Sequence, residues 1–144
     1  MTAVSQSPTL VLPPDVRNDV IEHAHEGVPE EICGVLGGAF DEERSHVRKS
    51  YPATNVADRP RTRYEIDPEE AFEIYERIED RGDDIVGFYH SHPNGPSRPS
   101  ETDVGGAAWP DRSYLIVSLA REPSVRSWRW RGEEFEEERV VIEQ

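Results

Sequence analysis

Lysine is almost missing from this chain: Lys49 is the only one among 144 residues, and arginine supplies the rest of the 16 basic side chains. Cysteine is equally scarce, and the single Cys33 excludes an internal disulfide and any zinc site built on clustered thiolates. No basic start leads into an apolar run, and no apolar run approaches the length of a membrane span, so a cytoplasmic protein without membrane contact is expected. Positive charge is in deficit overall. Against 30 Asp and Glu the net charge is −14, and a surface of that sign repels nucleic-acid phosphate, so no nucleic-acid partner is expected. The acids are spread along the chain rather than gathered in a tail. Dispersed carboxylates with a single lysine point to a salt-rich cytoplasm, where screening within about 3 Å removes most self-repulsion.

What is present suits one domain over residues 1–144, with 35% hydrophobic residues to build its core. Thr9–Leu12 reads as a strand, and Pro13–Pro14 open a helix with Val16, Val20, Ile21 and Ala24 on one face. Ile32–Phe40 reads as a strand whose glycines suggest a bulge, and His46–Thr54 as its return. A short strand is expected at Thr62–Ile66. It precedes a helix capped by Asp67, with Pro68 in its first turn and a buried stripe of Ala71, Phe72, Tyr75 and Ile78. Asp84–His92 is an apolar strand, Pro93–Pro99 a stiff loop and Ser100–Trp109 a short helix; strands follow at Tyr114–Leu119, Val125–Arg131 and Glu134–Ile142. Without a regular βαβ rhythm, the class is α+β, with helices packed on a mixed central sheet.

Chemistry concentrates at the end of the Asp84–His92 strand. His90 and His92 stand two apart, so both imidazoles face one side of the sheet. An HxH pair alone is more often two hydrogen-bonded histidines than a ligand set. Asp103, on the first turn of the next helix, adds a carboxylate. Two His and one Asp leave a tetrahedral zinc one open position for water, the pattern of a catalytic site.

Residues 90–103 read HSHPNGPSRPSETD, that is HSHP, six residues, Ser, two residues, Asp. This string resembles the signature of the JAMM (MPN-plus) metalloproteases at every fixed position. Upstream, Glu31-Ile32-Cys33-Gly34 is similar to the family's N-terminal motif, a glutamate three residues before a glycine. The resemblance implies one zinc per chain held by His90, His92 and Asp103, with Glu31 and Ser100 beside the water that the metal activates, in an MPN domain of cytidine-deaminase-like architecture. Glu31 would move the proton, and Ser100 would donate to the developing oxyanion. From spacing alone Ser100 is equally a helix cap, because Ser100-x-x-Asp103 is a capping pattern. Adjacent Glu30 and Glu31 face opposite ways on a strand, and the interval to Gly34 selects Glu31.

The remaining candidates read more plainly. Cys33 is expected to be a small core residue, and His23, His25 and His46 surface histidines. Trp128 and Trp130 alternate with Arg126, Arg129 and Arg131 as on a stacking platform for bases, but the acidic balance favours an amphipathic strand with its tryptophans packed inward. Arg61–Ile66 is expected to be a sheet edge that grips an extended substrate tail, with Arg61 and Arg63 as substrate-binding residues; the plain alternative is a connector.

Composition and resemblance together imply a zinc-dependent isopeptidase of the kind seen in archaeal desampylases from halophiles, removing ubiquitin-like small archaeal modifier proteins from target lysines. The partners are then modifier proteins and their conjugates. A second enzymatic reading is a processing peptidase that frees the Gly-Gly end of a sulfur-carrier protein. A non-catalytic MPN scaffold is disfavoured, since such members typically lose ligands that this chain retains. A cytidine deaminase needs cysteine ligands that the chain lacks.

Overall fold

The computed structural model describes residues 8–144. Strand β1 (Thr9–Leu12) leads into helix α1 (Pro14–Gly27), whose first position is proline. There the missing N–H costs nothing, because the first N–H groups of a helix have no intrahelical acceptor. Val16, Val20 and Ala24 are buried, with Ile21 packed at their margin. Strands β2 (Cys33–Ala39) and β3 (Arg44–Ala53) form an antiparallel hairpin. Its turn is tied by Asp41, whose carboxylate accepts the N–H groups of Glu43 and Arg44 at 2.9 and 3.0 Å. A bulge falls at Gly37/Gly38, where a Cβ on Gly38 would collide with the His46 carbonyl oxygen.

Helix α2 (Pro68–Asp80), strand β4 (Asp84–His92), helix α3 (Glu101–Gly106) and strands β5 (Ser113–Ser118), β6 (Ser124–Trp130) and β7 (Phe135–Ile142) complete the chain. The strands run β1-β3-β2-β4-β5-β6-β7, and the sheet closes because β1 pairs in parallel with both β3 and β7. β4 and β5 are also parallel, so the chain must cross over between them, and that crossover carries the proline-rich loop and α3. Alternation along the strands divides the interior. Leu36, Val86, Tyr89, Leu115 and Val117 join the buried face of α1, whereas Val35, Phe88, Tyr114 and Trp130 join that of α2. The class is α+β with a mixed sheet and packed helices, as the sequence implied; its closure depends on pairings remote in sequence.

Several local expectations need correction. Residues 62–66 are not a strand: a turn lies there, followed by one isolated bridge between Asn55 and Ile66. The Arg63 N–H donates to the Arg59 carbonyl at 3.1 Å, so this donor is already engaged. The stripe of α2 is Ala71, Ile74 and Ile78, with Tyr75 half-buried against Trp109; Phe72 lies off the stripe and is 63% exposed. Asp67 stands at the N-cap without a side-chain cap bond.

Trp130 is buried and Trp128 half-buried, its indole N–H donating to Ser97 O at 3.1 Å. On the opposite face of β6, Arg129 is completely buried beside an equally buried Glu138, 2.8 Å away. Its guanidinium also donates to the carbonyls of Asp41, Glu42 and Asp111. Arg126 and Arg131 pair across the strands with Glu137 and Glu136. The arginines within and around the tryptophan pair thus match the acidic run of β7, which accounts for both patterns.

Candidate metal centre and cleft

The end of β4 brings His90 and His92 to one face, and α3 brings Asp103 against them. Asp103 is set by a reciprocal capping box: its N–H donates to Ser100 Oγ at 3.1 Å, and its Oδ2 accepts the Ser100 N–H at 2.9 Å. Ser100 therefore does cap the helix, and its hydroxyl proton stays free to donate elsewhere. The Nε2 atoms of the two histidines lie 3.2 Å apart, and Asp103 Oδ2 is 3.2 Å from that of His90 and 3.0 Å from that of His92.

Three donors converging this tightly, two imidazole nitrogens and a carboxylate oxygen, are a set that zinc accepts. The His92 tautomer agrees. Its Nδ1 lies 2.7 Å from the Pro96 carbonyl, which can only accept, so Nδ1 carries the proton and Nε2 presents a lone pair. Burial pushes the His90 imidazole toward its neutral form. Burial opposes ionisation of Asp103, but the adjoining His90 and His92 imidazoles and the Ser100 N–H outweigh it and hold the carboxyl well below the usual range.

Glu31 joins this group: its carboxylate oxygen and the His90, His92 and Asp103 donors all lie within 4.8 Å of one another. Glu30 is exposed, whereas Glu31 is buried and its Oε1 has no hydrogen-bond partner among the described residues. Burial pushes its carboxyl up to about 7; the His92 charge pulls it down and Asp103 pushes it further up. A carboxyl poised there suits proton transfer near neutrality.

The backbone around Glu31 is gripped on several sides. Its N–H donates to Pro60 O at 2.7 Å, and its carbonyl accepts from Asn55 Nδ2 at 2.9 Å. The next N–H, that of Ile32, donates to Ser91 Oγ at 2.9 Å. Gly34 is required for a steric reason, since a Cβ there would collide with the ring of Tyr89. Asn55 is not marked by the sequence pattern, and Ser91, though inside the HSHP signature, has no chemical duty assigned by it. Ser91 carries only the hint of sitting between two ligand-type histidines, facing away from them.

A cleft of about 680 Å³ opens beside Asp103, walled by residues of the loop preceding α2, Arg63 and Tyr64 among them, and by Thr102, Trp109 and Tyr114. Arg63 reaches this wall, whereas Arg61 is exposed and lies outside its lining. Cys33 is buried and outside the donor cluster, its thiol pushed up to about 12 by burial and by Glu70 and Glu31. His23 is half-buried and bonded to the Tyr89 hydroxyl at 2.9 Å, rather than a plain surface histidine; His25 and His46 are exposed.

Comparison with known proteins agrees with this geometry. The chain is 45% identical to the desampylase of Haloferax volcanii, over 95% of this chain and 99% of that protein. It is 37% identical to the CysO-cysteine peptidase of Mycobacterium tuberculosis, over 94% of this chain and 92% of the relative. A solution structure of a protein from Desulfitobacterium hafniense superposes with a TM-score of 0.85 at 31% identity, covering 94% of this chain and 93% of that one. The family described as prokaryotic homologs of the JAB domain matches residues 13–131. Its span takes in both halves of the site, Glu31 and the HSHP-to-Asp103 segment, and with them the chain belongs to the prokaryotic JAB family, the JAMM group.

Proposed function

We propose that the chain is a zinc-dependent isopeptidase that removes ubiquitin-like small archaeal modifiers from target lysines. The observation that carries this reading is the convergence of His90, His92 and Asp103 beside the unpartnered Oε1 of Glu31. His90, His92 and Asp103 would hold the metal. Zinc, when bound, supplies Lewis acidity that polarises the scissile carbonyl and acidifies water. Glu31 accepts a proton from the attacking water and delivers it to the leaving lysine amine. The water oxygen ends on the modifier's C-terminal carboxylate, and the amide nitrogen leaves as the amine. The Ser100 hydroxyl, already fixed by the Asp103 N–H, donates toward the developing oxyanion.

The substrate tail would lie in the cleft beside Asp103, with Arg63 at its wall. Arg61 would act at contact distance, pairing with an acidic modifier even through high salt. The dispersed carboxylates support work in molar salt. The mycobacterial relative, a peptidase, favours a second reading in which the same residues free the Gly-Gly end of a sulfur-carrier protein.

Incubating the purified chain in molar salt with zinc and modifier-conjugated protein, or with a linear Gly-Gly fusion, separates the two. Release of free modifier from the conjugate is the expected result. Cleavage of the fusion alone selects the second reading, and cleavage of neither overturns both.

A further inference from the structure

The two histidines are oriented by different means. His92 is pinned through Nδ1 to the Pro96 carbonyl at 2.7 Å, whereas Nδ1 of His90 is buried and has no hydrogen-bond partner among the described residues. A metal-ligating imidazole usually has such a partner, which stops the ring from turning about its Cβ–Cγ bond and presenting carbon where nitrogen is needed. Against His90 lies the ring of Tyr64, centroids 4.3 Å apart and planes 24° from parallel, and the edge of His92 closes another side at 4.9 Å. We propose that Tyr64 is a positioning residue for His90, its stacked ring holding the plane in which that imidazole presents Nε2.

Tyr64 is itself placed with care. The side chain of Asn55 uses both donors and both acceptor directions: Nδ2 donates to Glu31 O and Arg63 O, and Oδ1 accepts the N–H groups of Ala57 and Glu65. Two of these bonds fall on the residues immediately before and after Tyr64. The Val56 N–H closes the same loop on the Glu65 carbonyl at 2.8 Å. The turn that presents the ring is therefore tied to the backbone of Glu31, and the stack on His90 is part of one hydrogen-bonded unit. Stacked aromatic pairs favour a fixed ring plane without needing the tyrosine hydroxyl, so phenylalanine should substitute for Tyr64 and leucine should not.

The inference rests on the zinc reading, and the test separates the two. Zinc release to excess chelator is measured for the wild type, Tyr64→Phe and Tyr64→Leu, together with proton NMR of the His90 ring in the metal-free proteins. Tyr64→Leu is expected to release zinc at least about tenfold faster, at the lower end of what loss of an outer partner costs in affinity. Tyr64→Phe should stay within about twofold of the wild type. The His90 ring protons should be displaced upfield in the wild type and Tyr64→Phe, and not in Tyr64→Leu. A folded Tyr64→Leu protein with wild-type zinc release, even if it melts lower, overturns the inference alone, as does Tyr64→Phe failing like Tyr64→Leu. Should Tyr64→Leu not fold, an undisplaced His90 ring in the wild type overturns it. A wild type that takes up no zinc brings down the metal assignment itself.

Discussion

Ser91 and Ile32 are clasped twice: the Ile32 N–H donates to Ser91 Oγ at 2.9 Å, and the Ser91 N–H donates to the Ile32 carbonyl at 3.1 Å. The serine between the two histidines faces away from them and fastens the residue that follows Glu31. One strand end thus orders the histidines on one face and the chain bearing Glu31 on the other.

Replacing Ser91 by alanine leaves the buried Ile32 N–H without its side-chain acceptor, which costs about 1–3 kcal/mol. Denaturant unfolding should show that loss. Zinc content should stay at the wild-type level while turnover falls, because Glu31 loses its footing and the histidines do not.

His90→Ala, His92→Ala and Asp103→Asn each remove a proposed ligand and should abolish both zinc binding and cleavage. Glu31→Gln should keep zinc and lose about 10²–10⁴-fold in turnover, the usual worth of a positioned acid–base group. Metal analysis beside a cleavage assay checks both halves, and an active Glu31→Gln enzyme would exclude Glu31 as the proton carrier.

Arg129 and Glu138 are both fully buried, so removing one partner strands the other's charge. Arg129→Met should destabilise the protein by about 3–5 kcal/mol, and the double variant Arg129→Met/Glu138→Leu should recover only the part due to the stranded Glu138 charge, because the carbonyls of Asp41, Glu42 and Asp111 still lose their donor. Unfolding curves of the two variants give the comparison directly.

With 30 acidic residues against 16 basic ones, self-repulsion is strongest in dilute salt. The melting temperature should rise between low and molar potassium chloride as screening tightens from tens of ångströms to about 3 Å. A flat profile would remove the argument for salt adaptation.

The Cys33 thiol, pushed up to about 12, is protonated throughout the physiological range. Since only the thiolate is a nucleophile, native protein at pH 8 should resist alkylation, and denaturant should make the same residue react. Mass spectrometry before and after unfolding reads this out.

The donor set was legible because its signature is local: a strand, a stiff loop and a helix start place His90, His92 and Asp103 within one continuous run. The parts that escaped are contacts through space. Tyr64 sits in a segment that reads as an edge strand and Asn55 in the stretch before it, yet a single asparagine side chain satisfies the backbone there and leaves no ladder to extend. Phe72 has the hydrophobicity of a core residue and the wrong angular position for the stripe that Ala71, Ile74 and Ile78 form. Arg129 lies at a strand position whose neighbours suggested solvent, because nothing nearby in sequence announces that Glu138 arrives opposite it. Closure of the sheet was invisible for the same reason.

That closure imposes an order on assembly. β1 leaves the ribosome first among the described strands, and one of its edges belongs to β7, the last of them, with Thr9 opposite Arg139 and Leu12 opposite Ile142. Until β7 emerges, β1 keeps that side of its backbone unpaired, and the β2–β3 hairpin can form while the ring stays open. The final joint is a contact of high sequence separation, the kind that slows folding, and an unpaired strand edge held open during translation is one that another nascent chain could occupy. Thr9–Leu12 carries no charged side chain, so nothing on β1 itself discourages that pairing until β7 arrives.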